Sequence, residues 1–90
     1  MNTDFARPPL ASANMTIGLL GGSFNPPHFG HSHISDVALR RLALDRLWWL
    51  VTPGNPIKDN SDLTALQTRI AYARAMTHDP RIDITGFFLT

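Results

Sequence analysis

Cysteine is absent from this 90-residue chain. That excludes disulfides, thiolate metal sites and cysteine nucleophiles, and it accords with a reducing compartment. Glutamate is absent as well, and Lys58 is the one lysine, so aspartate and arginine carry nearly all the charge. The net charge of +1 gives no electrostatic case for nucleic acid or an anionic membrane as partner. No apolar run approaches the roughly 20 residues that cross a bilayer. The first 14 residues, with Asp4 and Arg7-Pro8-Pro9, lack the apolar stretch of a secretory leader. Residues 1–15 are expected to be a disordered tail, with Met15 a candidate alternative start. The expected localisation is cytoplasmic, and no feature signals an oligomeric state.

What remains is one small domain with a modest core. Thr16 to Leu20 is a short apolar run closed by Gly21 and Gly22, the pattern of a buried parallel strand. From Gly30 to Leu44 the period becomes helical, with Ile34, Val37, Ala38 and Leu42 as the expected apolar stripe. Leu47 to Val51 is a second buried strand. Its Trp48 and Trp49 should point to opposite faces of a sheet covered by helices on both sides. Pro53-Gly54-Asn55-Pro56 breaks the chain, and Ile57 to Asp62 is expected to be loop. Thr64 and Gln67 have capping-box spacing for a second helix, with Leu66, Ile70, Ala73 and Met76 as its stripe and Pro80 as its stop. Ile82 to Thr85 is a third strand.

Strand, helix, strand, helix, strand with crossovers of this length implies parallel pairing and right-handed connections. The expected fold is α/β: a Rossmann-like parallel sheet, the βαβαβ half of a doubly wound fold, over residues 16–90. Ligands of such sheets bind beyond the carboxyl ends of the strands. The run Gly21-Gly22-Ser23-Phe24-Asn25-Pro26-Pro27-His28-Phe29-Gly30-His31 sits there. Its glycines permit a tight turn and close backbone approach. Ser23 adds a hydroxyl. The N–H groups at the helix start favour an anion. His28 and His31, three apart, can face one side if His28 is the last loop residue. Imidazolium is a good donor to phosphoryl oxygens.

Each part has a plainer reading. Two glycines alone are usually a turn, and two histidines could hold a metal, though no third ligand of fitting geometry is apparent. His33 belongs to another side of the helix, and His78 lies near a helix C-terminus, where a cation is favoured. A dinucleotide fingerprint is a weak competitor, because Gly18-Leu19-Leu20-Gly21 lacks its spacing.

Together these residues resemble the HxGH signature of the nucleotidyltransferase superfamily. The longer loop is similar to that of its nicotinate mononucleotide adenylyltransferase branch. Trp48 to Val51 followed by Pro53-Gly54-Asn55-Pro56-Ile57-Lys58, then Gln67-x-Arg69 and Asp79-Pro80-Arg81-Ile82, also resemble that branch, over residues 16–86. The resemblance implies transfer of AMP from ATP to nicotinate mononucleotide, giving deamido-NAD and pyrophosphate. It implies that His28 and His31 contact the ATP phosphates as catalytic residues. It places Gly21, Gly22, Ser23, Phe24 and Gly30 in the nucleotide-binding loop, and Lys58 as a further phosphate contact. Mg²⁺ would be held mainly by phosphates and water, and the partners would be ATP and the mononucleotide. The two glycines before Ser23, and His28 in place of threonine, argue against a phosphopantetheine acceptor. Nicotinate and nicotinamide acceptors stay open.

The branch also carries a second half with an Ile-Ser-(Ser/Thr)-Thr-x-x-Arg motif that nothing here matches. The chain is therefore expected to be the N-terminal half, with little or no adenylyltransferase activity alone. The alternative is a non-catalytic nucleotide-binding fragment.

Overall fold

Three parallel strands and two helices alternate along the chain in a computed structural model that describes residues 9, 11–24, 26–53 and 58–86. Their order is β1 (Ile17–Gly22), α1 (Phe29–Arg41), β2 (Arg46–Val51), α2 (Asn60–Met76) and β3 (Ile82–Thr85). The sheet order is β1-β2-β3, both pairs parallel, as the βαβαβ pattern predicts. Leu20 lies opposite Trp49 and Trp49 opposite Ile84, so these three share one face. Expectations for residues 1–8, Leu10, Asn25, Gly54 to Ile57 and Phe87 to Thr90 lie outside the described residues.

The two glycines were expected to close β1, but the strand runs through them. Gly21 pairs with Leu50 and Gly22 with Val51. The backbone turns over two residues later, at Phe24, whose φ is 49°. This left-handed conformation is unusual for an aromatic residue. Burial of the Phe24 ring stabilises it, because the ring stacks on Trp49 at 4.9 Å between centroids.

Both helices cover the same face. Leu47, Trp49 and Val51 of β2 form one core with Leu39 of α1, Leu66, Ile70 and Ala73 of α2, and Ile84. Trp48 does point to the opposite face, but among the described residues that face carries no helix, contrary to expectation. Two right-handed crossovers progressing in one direction across a sheet put their helices on one side. Leu19, on the helix-free face of β1, is accordingly 63% exposed.

Helix α1 stops at Arg41, short of Leu44, and its stripe is rotated from the expected one. Ile34 is 54% and Leu42 65% exposed, while Ser35 and Leu39 are buried. A polar contact sets this rotation. Trp49 Nε1 donates to Ser35 Oγ at 2.8 Å, and Ser35 Oγ donates to the His31 carbonyl at 2.8 Å. A buried indole N–H needs an acceptor, and serine on the inner face supplies one.

Helix α2 begins earlier than the Thr64–Gln67 spacing suggests. Asp59 is its N-cap, accepting from the N–H groups of Ser61 and Asp62, and Asp62 accepts from the Asp59 N–H. A carboxylate outcompetes the threonine hydroxyl as a cap. Thr64 instead donates to the Asn60 carbonyl inside the helix. The helix ends at Met76, before Pro80, with Thr77 as C-cap. Its expected stripe holds: Leu66, Ile70 and Ala73 are buried, and Met76 packs against the core.

Candidate functional site

The two histidines meet at the start of α1. His28 is the N-cap, in extended backbone conformation. Its Nδ1 accepts from the Gly30 N–H at 3.0 Å. His31 Nδ1 accepts from the His28 N–H at 3.0 Å. This is a capping box built from imidazoles instead of the usual hydroxyl and carboxylate. The ring centroids are 4.0 Å apart.

The box explains the glycine between the histidines. A Cβ on Gly30 would lie 2.7 Å from His28 Cε1 and 2.8 Å from its Nδ1. Only glycine lets the ring fold over the first turn to take the Gly30 N–H. The box also changes what the helix start can offer an anion. The Gly30 N–H is held by the His28 ring, and the His31 N–H by the His28 carbonyl at 3.0 Å. The expected supply of free N–H groups is thus reduced by two, and the rings become the outward donors.

His31 is supported from below. The Phe24 ring lies 4.5 Å from it and the Trp49 ring 5.8 Å. Burial holds the His31 pKa below the ordinary imidazole value, and the charge of neighbouring His28 pushes in the same direction. The row His31, Ser35, Leu39, spaced by four, is the face that seats α1 on β2.

Phe24 therefore enters the core through its side chain. Gly21 borders open space, since a Cβ there would meet nothing within 4 Å. A Cβ on Gly22 would sit 3.5 Å from the Phe24 ring. Ser23 is exposed. Lys58 is also exposed, immediately before the α2 cap, and its backbone N–H donates to Asp62 Oδ2 at 3.0 Å. Because α2 follows β2, its N-terminus lies at the same carboxyl end of the sheet as the histidines. His33 is exposed on another side of α1, and His78 is exposed beyond the end of α2.

Arg69 braces the candidate site, and the sequence marked it only as part of the Gln67-x-Arg69 resemblance. Its Nη1 donates to the carbonyls of Ser23 and Thr52, both at 2.7 Å, and Nη2 donates to Pro53 at 3.4 Å. One guanidinium thus ties α2 to the loops that follow β1 and β2. Nothing local signals this, because its acceptors lie 16 to 46 residues away in sequence. Ser35 had a signal, the four-residue spacing from His31, but a hydroxyl among apolar positions reads as an outward one.

Known proteins match this chain over the same region. The cytidylyltransferase-like family matches residues 19–88. A protein of Methylorubrum extorquens, named a probable nicotinate-nucleotide adenylyltransferase, is 66% identical over 73 residues, 81% of this chain and 40% of that protein. One of Agrobacterium fabrum with the same name is 58% identical over 81% of this chain and 39% of its own length. One of Brucella suis, also so named, is 55% identical over 80% of this chain and 37% of its own length. The chain spans about 40% of the length of the curated relatives it matches. The match takes in the histidine cap at the start of α1 and all of the βαβαβ unit but the first two residues of β1, and the chain belongs to the cytidylyltransferase-like family.

Proposed function

We propose that this chain supplies the ATP-phosphate part of a nicotinate mononucleotide adenylyltransferase, a step of NAD biosynthesis. The observation that carries this is the paired imidazole cap of His28 and His31 at the carboxyl end of β1. The names of the relatives supply the acceptor. An oxygen of the mononucleotide phosphate attacks the α-phosphorus of ATP, the bond from that phosphorus to the bridging oxygen breaks, and pyrophosphate departs. The acceptor is already an ionised phosphate, so the protein needs no general base. Its task is positioning and neutralising charge. His28 and His31 donate to phosphate oxygens that gain charge as pyrophosphate leaves. Gly21 leaves room for the nucleotide, Gly22, Ser23 and Phe24 line it partly through backbone, and Gly30 lets the His28 ring close. Lys58 approaches the phosphates from the α2 side. No described residue is assigned to the nicotinate ring, so nicotinamide mononucleotide is the competing acceptor.

ATP brings Mg²⁺ in most such reactions, where it neutralises phosphate charge. The residues here do not fit it as a protein-held ion. Mg²⁺ takes oxygen ligands, the cap presents imidazoles, and among the described residues no three metal-ligating side chains gather. The ion would travel with the phosphates and water. Among the described residues no helix is long and apolar enough to cross a membrane. Substrates of this kind are drawn from cytoplasmic pools, which is where we place the chain.

The test is an exchange. The matched 73 residues of this chain replace their counterparts in the Methylorubrum extorquens relative. The exchanged protein should form deamido-NAD and pyrophosphate in equal amounts from ATP and nicotinate mononucleotide, and lose that activity with His31→Ala. A folded, inert exchange beside an active parent contradicts the proposal.

A further inference from the structure

The capping box fixes which nitrogen of each ring carries the proton. A nitrogen that accepts an N–H bond must present a lone pair. His28 Nδ1 accepts from Gly30 and His31 Nδ1 accepts from His28. In each neutral ring the single proton is therefore on Nε2. Adding a second proton to either ring can only take place at Nδ1, the atom already engaged in the cap. Protonation and capping exclude each other.

From this geometry we infer that His28 and His31 act as a matched pair of neutral Nε2–H donors, locked in that tautomer by the helix cap, and that the site takes a fully ionised polyphosphate without acquiring a proton. The inference rests on the nucleotide reading above and departs from the ordinary expectation that histidines meet phosphate as imidazolium. The surroundings of His31 agree with it. Phe24, Trp49 and the His28 ring pack on His31, and His28 is the titratable group that acts on it among the described residues. Apolar packing opposes a second proton on His31, and a charge on either ring would oppose one on the other. Gly30 becomes a positioning residue: a side chain there would lever the His28 ring off the cap and free Nδ1.

Two measurements on the full chain test this together. Long-range proton–nitrogen NMR of the ligand-free chain reports the tautomer of each ring. Titration calorimetry with ATP at about pH 7.5, one unit above the ordinary imidazole pKa, in two buffers of different ionisation heat, reports protons taken up. The expected result is Nε2–H for both rings, no net proton uptake, and loss of the fixed His28 tautomer in Gly30→Ala. Either ring protonated on Nδ1, or uptake approaching one proton per ATP, overturns the inference. If both rings show the Nε2–H tautomer but ATP does not bind, the lock stands, while the nucleotide reading fails and the donor role falls with it.

Discussion

The Arg69 guanidinium donates to the Ser23 carbonyl at 2.7 Å, fastening α2 to the loop that leaves β1. A second bond from the same nitrogen reaches Thr52, so the loops after β1 and β2 share one anchor. Ser23 and Phe24 lie in the first loop, and Lys58 follows the second. The clamp fixes how far apart the two flanks of the candidate site stand.

Arg69→Ala removes a charged donor from two close carbonyls. Hydrogen bonds to charged groups contribute about 1.5–3 kcal/mol; the bond to Thr52 is half-buried and the one to Ser23 exposed, so a loss of about 1–2 kcal/mol is expected. Urea denaturation measures it. ATP affinity should fall in the folded variant as well, although Arg69 is not assigned to the phosphates. Arg69→Lys should recover little, because one ammonium cannot reproduce the fork.

Ser35→Ala should be costlier than a surface serine change. It leaves the indole N–H of buried Trp49 without its acceptor, at about 1–3 kcal/mol. In the Trp49→Phe background the same Ser35→Ala change should cost less, since no indole remains to be satisfied. A double-mutant cycle by denaturant unfolding gives the coupling directly.

These two contacts show where sequence reading reached and where it stopped. The strand–helix alternation was legible, because local periodicity encodes it. So was the α2 stripe Leu66, Ile70, Ala73. The α1 stripe was misplaced because a hydroxyl, Ser35, occupies its centre and two apolar residues, Ile34 and Leu42, face outward. The start of α2 was set by Asp59, whose competitor Thr64 has the more familiar spacing. The histidine pair was visible as a motif, but its reciprocal hydrogen bonds depend on ring orientation that no spacing reveals. The Arg69 clamp joins segments distant in sequence and needs the fold.

Gly21→Ala separates fold from site. A methyl group there meets no protein atom within 4 Å, and β1 is extended, so stability should be unchanged or slightly higher. If the nucleotide passes over this strand end, ATP affinity falls at least several-fold. Paired thermal unfolding and calorimetry check both halves.

Acid should loosen α2 from its N-terminus. The Ser61 hydroxyl, then the backbone N–H groups of Asp62 and Ser61, hold the Asp59 carboxyl below the usual carboxylate range. The folded pKa is lower than the unfolded one. The stabilisation is therefore present above the unfolded pKa, about 4, and is lost as pH falls through the folded value. Protection of the Ser61 and Asp62 amides, measured against their intrinsic exchange rates at each pH, should fall on acidification below about pH 4. In Asp59→Asn, which keeps an acceptor but cannot titrate there, that dependence should weaken, the Asp62 carboxylate remaining in the cap.

The histidine cap as an ATP-phosphate site is tested most directly by phosphorus NMR of ATP titrated with the chain. The β- and γ-phosphate resonances should shift on binding, and the shifts should vanish with His31→Ala in a variant that retains its helical circular dichroism. ATP that binds with unmoved phosphate resonances, or equally well to the folded His31→Ala chain, would contradict it.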